Sequence, residues 1–264
     1  MTHPATPFRR RLSLFVGWLA DIRVPTFLRP FVFGIFSKLT GADPSEAELA
    51  PKGYASVSAF FVRRLKPGRR PLDPDLSVLI SPCDGKVQAV TTIEKGTILQ
   101  AKGRPYTVEE ILGEAAPELE GGTAWTIYLG PRDYHRVHTP FDAQLAHVRW
   151  LPGARYSVQP KVLLAREKVL SINERAVLRL EHRGLTGYLV MVGALNVGRI
   201  RVVGVDPEAS PDTPLDRPRG SELARFELGS TVVLLLPRSM ATPGDDLPQE
   251  KVLRLGQPIG RLTP

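Results

Sequence analysis

From Val78 onward the chain divides into short strand-like runs, and this constrains its fold more than any other feature. Lys86–Ile93, Thr97–Ala101, Thr123–Leu129, Ala176–Glu181, Tyr188–Val192, Arg199–Val203 and Thr231–Leu236 are rich in β-branched and aromatic residues. Glycines and prolines separate them, the punctuation of strands joined by turns. Helical pattern is scarce; Thr107–Leu112 and Lys161–Arg166 are the candidates. Residues 206–220 carry Pro207, Pro211, Pro214 and Pro218 and read as an exposed loop. No internal repeat is present. With 264 residues, 42% hydrophobic and 23% charged, the chain can bury a sizeable core, and disorder, collagen and coiled coil are excluded. The fold class expected is α+β: a β-rich body over 57–264 with an N-terminal amphipathic helical appendage over 1–56.

The net charge of +8 calls for an anionic partner. Residues 1–40 hold six basic side chains against Asp21 alone, and residues 59–71 hold five against none. The remaining body nets −2 on the same count. Between these cations lie large apolar residues: Leu12, Phe15, Val16, Trp18, Leu19 and Ile22, then Phe27, Leu28, Phe31, Val32, Ile35 and Phe36. That interleaving favours an anionic membrane surface over nucleic acid. Pro30 kinks or restarts the second helix. The uncharged runs Leu12–Ala20 and Pro30–Ser37 fall short of the roughly 18 residues that span a bilayer. Trp18 stands three residues before the cut that Ala20 would allow, so a cleaved leader is not expected. Two readings stand together: helices lying in the membrane interface, or a helical hairpin packed on the protein's own core. Asp43 or Ser45 is placed to start one further helix, and Ser56 another through Phe60, Phe61 and Val62 to Arg64.

Three polar islands interrupt the pattern. Ser81–Lys86 is a turn entering a strand. Pro131–Pro140 contains His135 and His138, two of the five histidines. Their spacing suits half a metal site, but no cysteine cluster or second histidine pair completes it, so no metal is expected. General acid–base work is the better use of these imidazoles. Phe226–Thr231 leads through Gly229 and Ser230 into an apolar strand. Cys83 is the sole cysteine, which excludes a disulfide framework.

Taken in order, these segments resemble the pyruvoyl-dependent phosphatidylserine decarboxylases of bacteria and mitochondria. The Asp-Gly-Lys turn lies at Asp84–Lys86, Tyr-His-Arg-Val-His at Tyr134–His138 and Asn-Glu-Arg at Asn173–Arg175. A Val-Gly-Ala-x-x-Val-Gly stretch lies at Val192–Gly198 and the Leu-Gly-Ser-Thr processing site at Leu228–Thr231. Phe60–Arg63 and Pro67–Pro71 also fit. Ala224 departs from the pattern, which commonly has glycine there. Pro160–Ser171 and the loop after Val205 match no part of it.

The resemblance implies self-processing. His138 would activate Ser230, Asp84 would orient His138, and Ser230 would attack the Gly229 carbonyl. The products would be a long chain of residues 1–229 and a short chain of residues 230–264 carrying a covalent pyruvoyl group made from Ser230. The two would stay together as a heterodimer, open to further dimerisation. Decarboxylation of phosphatidylserine to phosphatidylethanolamine would run through a Schiff base on that group. His135 would reprotonate the carbon or hold the substrate carboxylate when charged, and Tyr134 would assist or simply pack. The expected location is peripheral, on the cytoplasmic face of the cell membrane. Three alternatives stand beside this: a decarboxylase of another serine-headed phospholipid, a Ser-His-Asp hydrolase on Asp84, His138 and Ser230, and a non-enzymatic membrane-binding module. The hydrolase lacks a Gly-x-Ser-x-Gly elbow.

Overall fold

The computed structural model describes residues 17–99, 105–194, 200–227 and 230–264. The expectations for Arg9–Arg11, Leu12, Phe15 and Val16 lie outside the described residues, as do those for Leu228, Gly229 and 195–198. With strands numbered in chain order, an eight-stranded antiparallel sheet forms the body. Its order is β11 (Leu215–Arg217), β7 (Ala143–Leu151), β8 (Arg175–His182), β9 (Leu185–Gly193), β13 (Ser230–Leu236), β5 (Thr123–Leu129), β2 (Gly85–Thr92) and β15 (Val252–Leu253). A three-stranded sheet orders β10 (Ile200–Val202), β12 (Glu222–Phe226) and β6 (Arg136–His138). Another orders β1 (Val78–Ile80), β16 (Pro258–Leu262) and β14 (Ala241–Pro243), and β3 (Thr97–Leu99) pairs with β4 (Pro105–Thr107). The β-rich α+β expectation holds.

Strand β13 explains the layering. It is apolar at every position from Val232 to Leu236 and buried throughout, as a strand covered on both faces must be. Val232, Leu234 and Leu236 join Trp125, Leu178, Met191 and Phe226 in one core. Val233 and Leu235 point the other way and pack with Val177, Val190, Ile111 and Leu170. Each such side chain stabilises the fold by about 1.5–3 kcal/mol relative to exposure. The second core includes the short helix Val108–Leu112, fixed at its start by a Thr107–Glu110 capping box.

The helix Arg29–Thr40 has Pro30 in its first turn, so the proline starts the helix rather than kinking it. Gly41 closes it in the left-handed conformation, donating its N–H to Ser37 O. Phe33 is fully buried and stacks on Phe60 at 5.3 Å between ring centroids, with Tyr54 edge-on at 6.4 Å. One side of this helix is thus a packed helix, as the hairpin reading expects. The other side is not: Phe27, Phe31, Ile35 and Leu39, four residues apart, are exposed. Among the described residues no helix is long and apolar enough to cross a membrane.

Several boundaries shift. Ser56 caps its helix through Ala59 N at 3.2 Å, but that helix ends at Phe61 rather than Arg64. Asp43 caps a single 3-10 turn, Pro44–Glu46. Strand β7 was not expected: Gln144, His147 and Arg149 mask its apolar positions, and its register slips between Leu145 and His147. Strand β12 was likewise hidden by Glu222 and Arg225. The loop read into 206–220 contains β11, which pairs with β7.

Candidate active site

Ser230 opens the central strand. Its backbone pairs with Leu129 on one side and Gly193 on the other. By strand alternation its side chain takes the same face as Val232 and Leu234. That face carries Val137, Ala224 and Phe226 of the small sheet. Ser230 is fully buried, and its hydroxyl has no hydrogen-bond partner among the described residues. Asn173 braces the neighbouring strand end, donating from Nδ2 to Gly193 O (2.9 Å) and Tyr156 O (2.8 Å). The Asn-Glu-Arg motif is therefore a brace: Arg175 donates to the carbonyls of Glu110, Ile111 and Asn173.

Strand β6 ends on His138, and His135 immediately precedes it. It pairs antiparallel with β12, His138 opposite Glu222, and His135 O accepts from Phe226 N at 3.0 Å. The departure at Ala224 sits in this pairing, next to a register shift between Glu222 and Ala224.

The two imidazoles are held differently. His138 Nδ1 lies 2.8 Å from Gly220 O, a carbonyl that only accepts, so Nδ1 carries the proton and Nε2 the lone pair. The Tyr134 hydroxyl then donates to Nε2 at 3.1 Å. Burial lowers the His138 pKa below the usual histidine range, which keeps it a base. Gly220 takes the left-handed conformation, and a Cβ there would strike Leu72 at 2.3 Å, so the turn that orients His138 requires glycine. His135 is fully buried against Phe61, ring centroids 3.9 Å apart. Its Nδ1 donates to Asp133 O at 2.8 Å, leaving Nε2 bare and unpartnered. Burial pushes its pKa down to about 3. Burial thus disfavours the charged imidazole that holding a carboxylate by charge would need.

Asp84 has other partners than the one the resemblance implies. Its carboxylate takes Arg70 Nε at 2.8 and 3.1 Å and Arg70 Nη2 at 2.5 Å, and Leu255 N at 2.9 Å. No hydrogen bond joins it to His138 among the described residues; its negative charge is felt there and raises the His138 pKa slightly against the burial. Arg70 also pairs with Glu46 at 2.8 Å, and Arg254 reaches Glu46 at 3.3 Å. Residues 46, 70, 84 and 254–255 thus close one ion-paired junction. The Asp84–Gly85 turn fits tightly beside it: a Cβ on Gly85 would lie 2.5 Å from Tyr128 O. Arg70 and Gly220 were missed as site residues; Tyr134, expected to assist or simply pack, is hydrogen-bonded to His138. The Pro-Gly-x-Arg-Pro match held Arg70, but nothing local signals its partners. Arg70→Met leaves Asp84 buried with Leu255 N alone, and breaking such a pair costs about 3–5 kcal/mol. Urea unfolding of the purified protein is expected to show that loss.

Among the described residues no cluster of His, Cys, Asp and Glu suits a metal. Residues 57–261 match the phosphatidylserine decarboxylase family. Over 263 residues the chain is 38% identical to a phosphatidylserine decarboxylase proenzyme of Myxococcus xanthus, covering 96% of this chain and 94% of that protein. Over 270 residues it is 36% identical to a phosphatidylserine decarboxylase proenzyme of Legionella pneumophila strain Corby, covering 96% and 94%. A protein of the same description from Azotobacter vinelandii is 36% identical over 271 residues, with the same coverage.

Proposed function

The chain belongs to the phosphatidylserine decarboxylase family, and from this we propose that it converts phosphatidylserine to phosphatidylethanolamine with a pyruvoyl group made from its own Ser230. The observation that supports the reading is the setting of Ser230: a buried hydroxyl without a partner among the described residues, at the head of the central strand. The surroundings fit a pyruvoyl group there, because a residue that makes no side-chain hydrogen bond loses none when its hydroxyl is replaced by a ketone.

Processing follows from this chain's own residues. His138 Nε2 takes the Ser230 hydroxyl proton once Tyr134 yields that position, and the oxygen bonds to the Gly229 carbonyl carbon. The Gly229–Ser230 peptide bond breaks as the ester forms. Loss of the Ser230 α-proton and of the Gly229 carboxylate leaves dehydroalanine, which takes up water and releases ammonia. The short chain keeps its place because β13, β14, β15 and β16 all belong to it and pair with strands of the long chain or with one another. A pyruvoyl carbonyl supplies an acceptor for the electron pair left when carbon dioxide departs. His135, whose Nε2 has no partner among the described residues, is the residue we assign to return a proton to the carbon that lost its carboxylate.

Incubating the purified protein with phosphatidylserine vesicles tests the reading. Phosphatidylethanolamine appears, and intact mass shows chains of residues 1–229 and 230–264, the shorter blocked at its N-terminus. An active single chain would refute the pyruvoyl assignment and favour the hydrolase.

Membrane docking belongs to the same reading. Phe27, Phe31, Ile35 and Leu39 form one exposed stripe, beside exposed Trp18, Leu19 and Ile22. Arg23, Arg29 and Lys38 lie among them in the chain, and Arg29 donates to Lys52 O. An apolar stripe edged by cations suits a peripheral contact with an anionic bilayer. Removing residues 1–40 would also remove buried Phe33, so substitution is the cleaner test. Replacing Phe27, Phe31 and Leu39 together with serine forfeits about 1.5–3 kcal/mol per side chain of burial in lipid. Sedimentation with phosphatidylglycerol-containing vesicles is expected to fall at least about a hundredfold, with the melting temperature unchanged.

A further inference from the structure

Arg63, the last residue of the Phe60–Arg63 motif, has no role in the processing or proton steps above. It is 3% exposed. Its Nη2 donates to Arg132 O at 3.2 Å, and its guanidinium lies 5.3 Å from the centroid of the Phe60 ring. Nε and Nη1 are buried without a partner among the described residues. No ion pair holds Arg63 among the described residues, and residues 1–16, 100–104, 195–199 and 228–229 contain no aspartate or glutamate that could supply one. The carboxylates whose charge reaches it, Glu46 and Asp84, pair with Arg70. A buried cation with two donor nitrogens idle is costly unless an anion meets it. Its position tells which anion. Arg63 holds the carbonyl of Arg132, and His135 holds the next carbonyl along the same turn, Asp133 O. Arg63 and His135 thus brace adjacent carbonyls of one turn, and the Arg63 charge is felt at His135.

We propose that Arg63 is the receptor for the phosphodiester of the lipid head group, an assignment that rests on the decarboxylase reading. The head group carries two anions, and the chemistry separates them. The carboxylate must leave as neutral carbon dioxide; a guanidinium paired with it would stabilise the starting state and oppose its loss. The phosphodiester keeps its charge from substrate to product. A guanidinium there supplies affinity and register without a penalty at the reacting bond, and its planar fork matches two phosphate oxygens.

The test uses the processed two-chain enzyme with Arg63→Met and Arg63→Lys. Arg63→Met is expected to raise KM for phosphatidylserine in mixed micelles at least about tenfold while kcat falls less than about threefold. Calorimetric titration reads binding directly. Glycerophosphoethanolamine, a phosphodiester without a carboxylate, is expected to lose at least about tenfold in affinity; serine, a carboxylate without a phosphate, is expected to bind as before. The reverse pattern would assign Arg63 to the carboxylate and overturn the proposal, and so would unchanged affinity for both. Melting separates binding from structure: loss of an unpaired buried charge leaves the Arg63→Met protein as stable or more so, whereas a structural arginine would lower its melting temperature. Arg63→Lys keeps the charge and is expected to fall between the two; if Arg63→Met is not processed, wild-type affinity for glycerophosphoethanolamine in Arg63→Lys overturns the proposal. Wild-type enzyme that yields no phosphatidylethanolamine would instead defeat the decarboxylase reading itself.

Discussion

Ser230→Ala is expected to leave one 29.1 kDa chain with no decarboxylase activity. Alanine has no oxygen to bond to the Gly229 carbonyl, so neither the ester nor its elimination product forms. Thr231 cannot stand in. Its hydroxyl is also buried and without a partner, but it pairs one register position further along the strand, on the opposite face from Ser230. The fold is expected to survive, because the lost hydroxyl made no hydrogen bond and its removal relieves a buried unsatisfied group. Gel analysis, intact mass and thermal melting of the same sample read all three consequences. Cleavage of this variant at residue 229 would exclude Ser230 as the source of the nucleophile.

His138→Ala carries the second large effect. A positioned general base contributes about 10²–10⁴ in rate, so the variant is expected to remain uncleaved on the timescale on which wild type is fully processed. His138 is prepared to act as that base, since Gly220 O fixes its proton on Nδ1 and burial holds its pKa below the usual histidine range. The sign for pH follows. The neutral form persists as pH falls through about 6.5, the ordinary histidine pKa. The processing rate of freshly made precursor is therefore expected to stay flat below that value and to fall only at lower pH. A rate that halves near pH 6.5 would remove His138 from the role. His135→Ala is the contrast: cleavage proceeds and decarboxylation is poor.

Asp84 shows where a motif stops informing. The resemblance places an acid at position 84, and the structure gives it partners at 70 and 255. Arg70 lies fourteen residues away along the chain, Leu255 in the segment after Ser230 that the proposed cleavage would make the short chain. Asp84 thus joins the N-terminal region, the body and the segment after Ser230, and its charge is felt at His138. Asp84→Asn is accordingly expected to slow processing through loss of that junction, less severely than His138→Ala.

The strands with uninterrupted apolar runs were legible because composition along them leaves no alternative. Ser230–Leu236 cannot be exposed on either face, and Thr123–Leu129 was placed to the residue. Strands β7 and β12 were not legible, since charged side chains on their solvent-facing positions break the pattern and both contain register shifts. Pro30 punctuates the N-terminal helix in the sequence; that it starts the helix depends on Phe33 packing against Phe60.

By itself the sequence determined the β-rich body, the basic apolar N-terminus and the residue types at 84, 135, 138, 229 and 230, because periodicity, charge and ordered motifs are properties of the chain alone. Tertiary structure alone decided what those residues touch. His138 is oriented by a carbonyl 82 residues away, and Arg70 takes Glu46 and Asp84 while Arg63 pairs with neither. Such contacts depend on how sheets stack and strands register, and no local propensity encodes which of two neighbouring arginines an aspartate will bind.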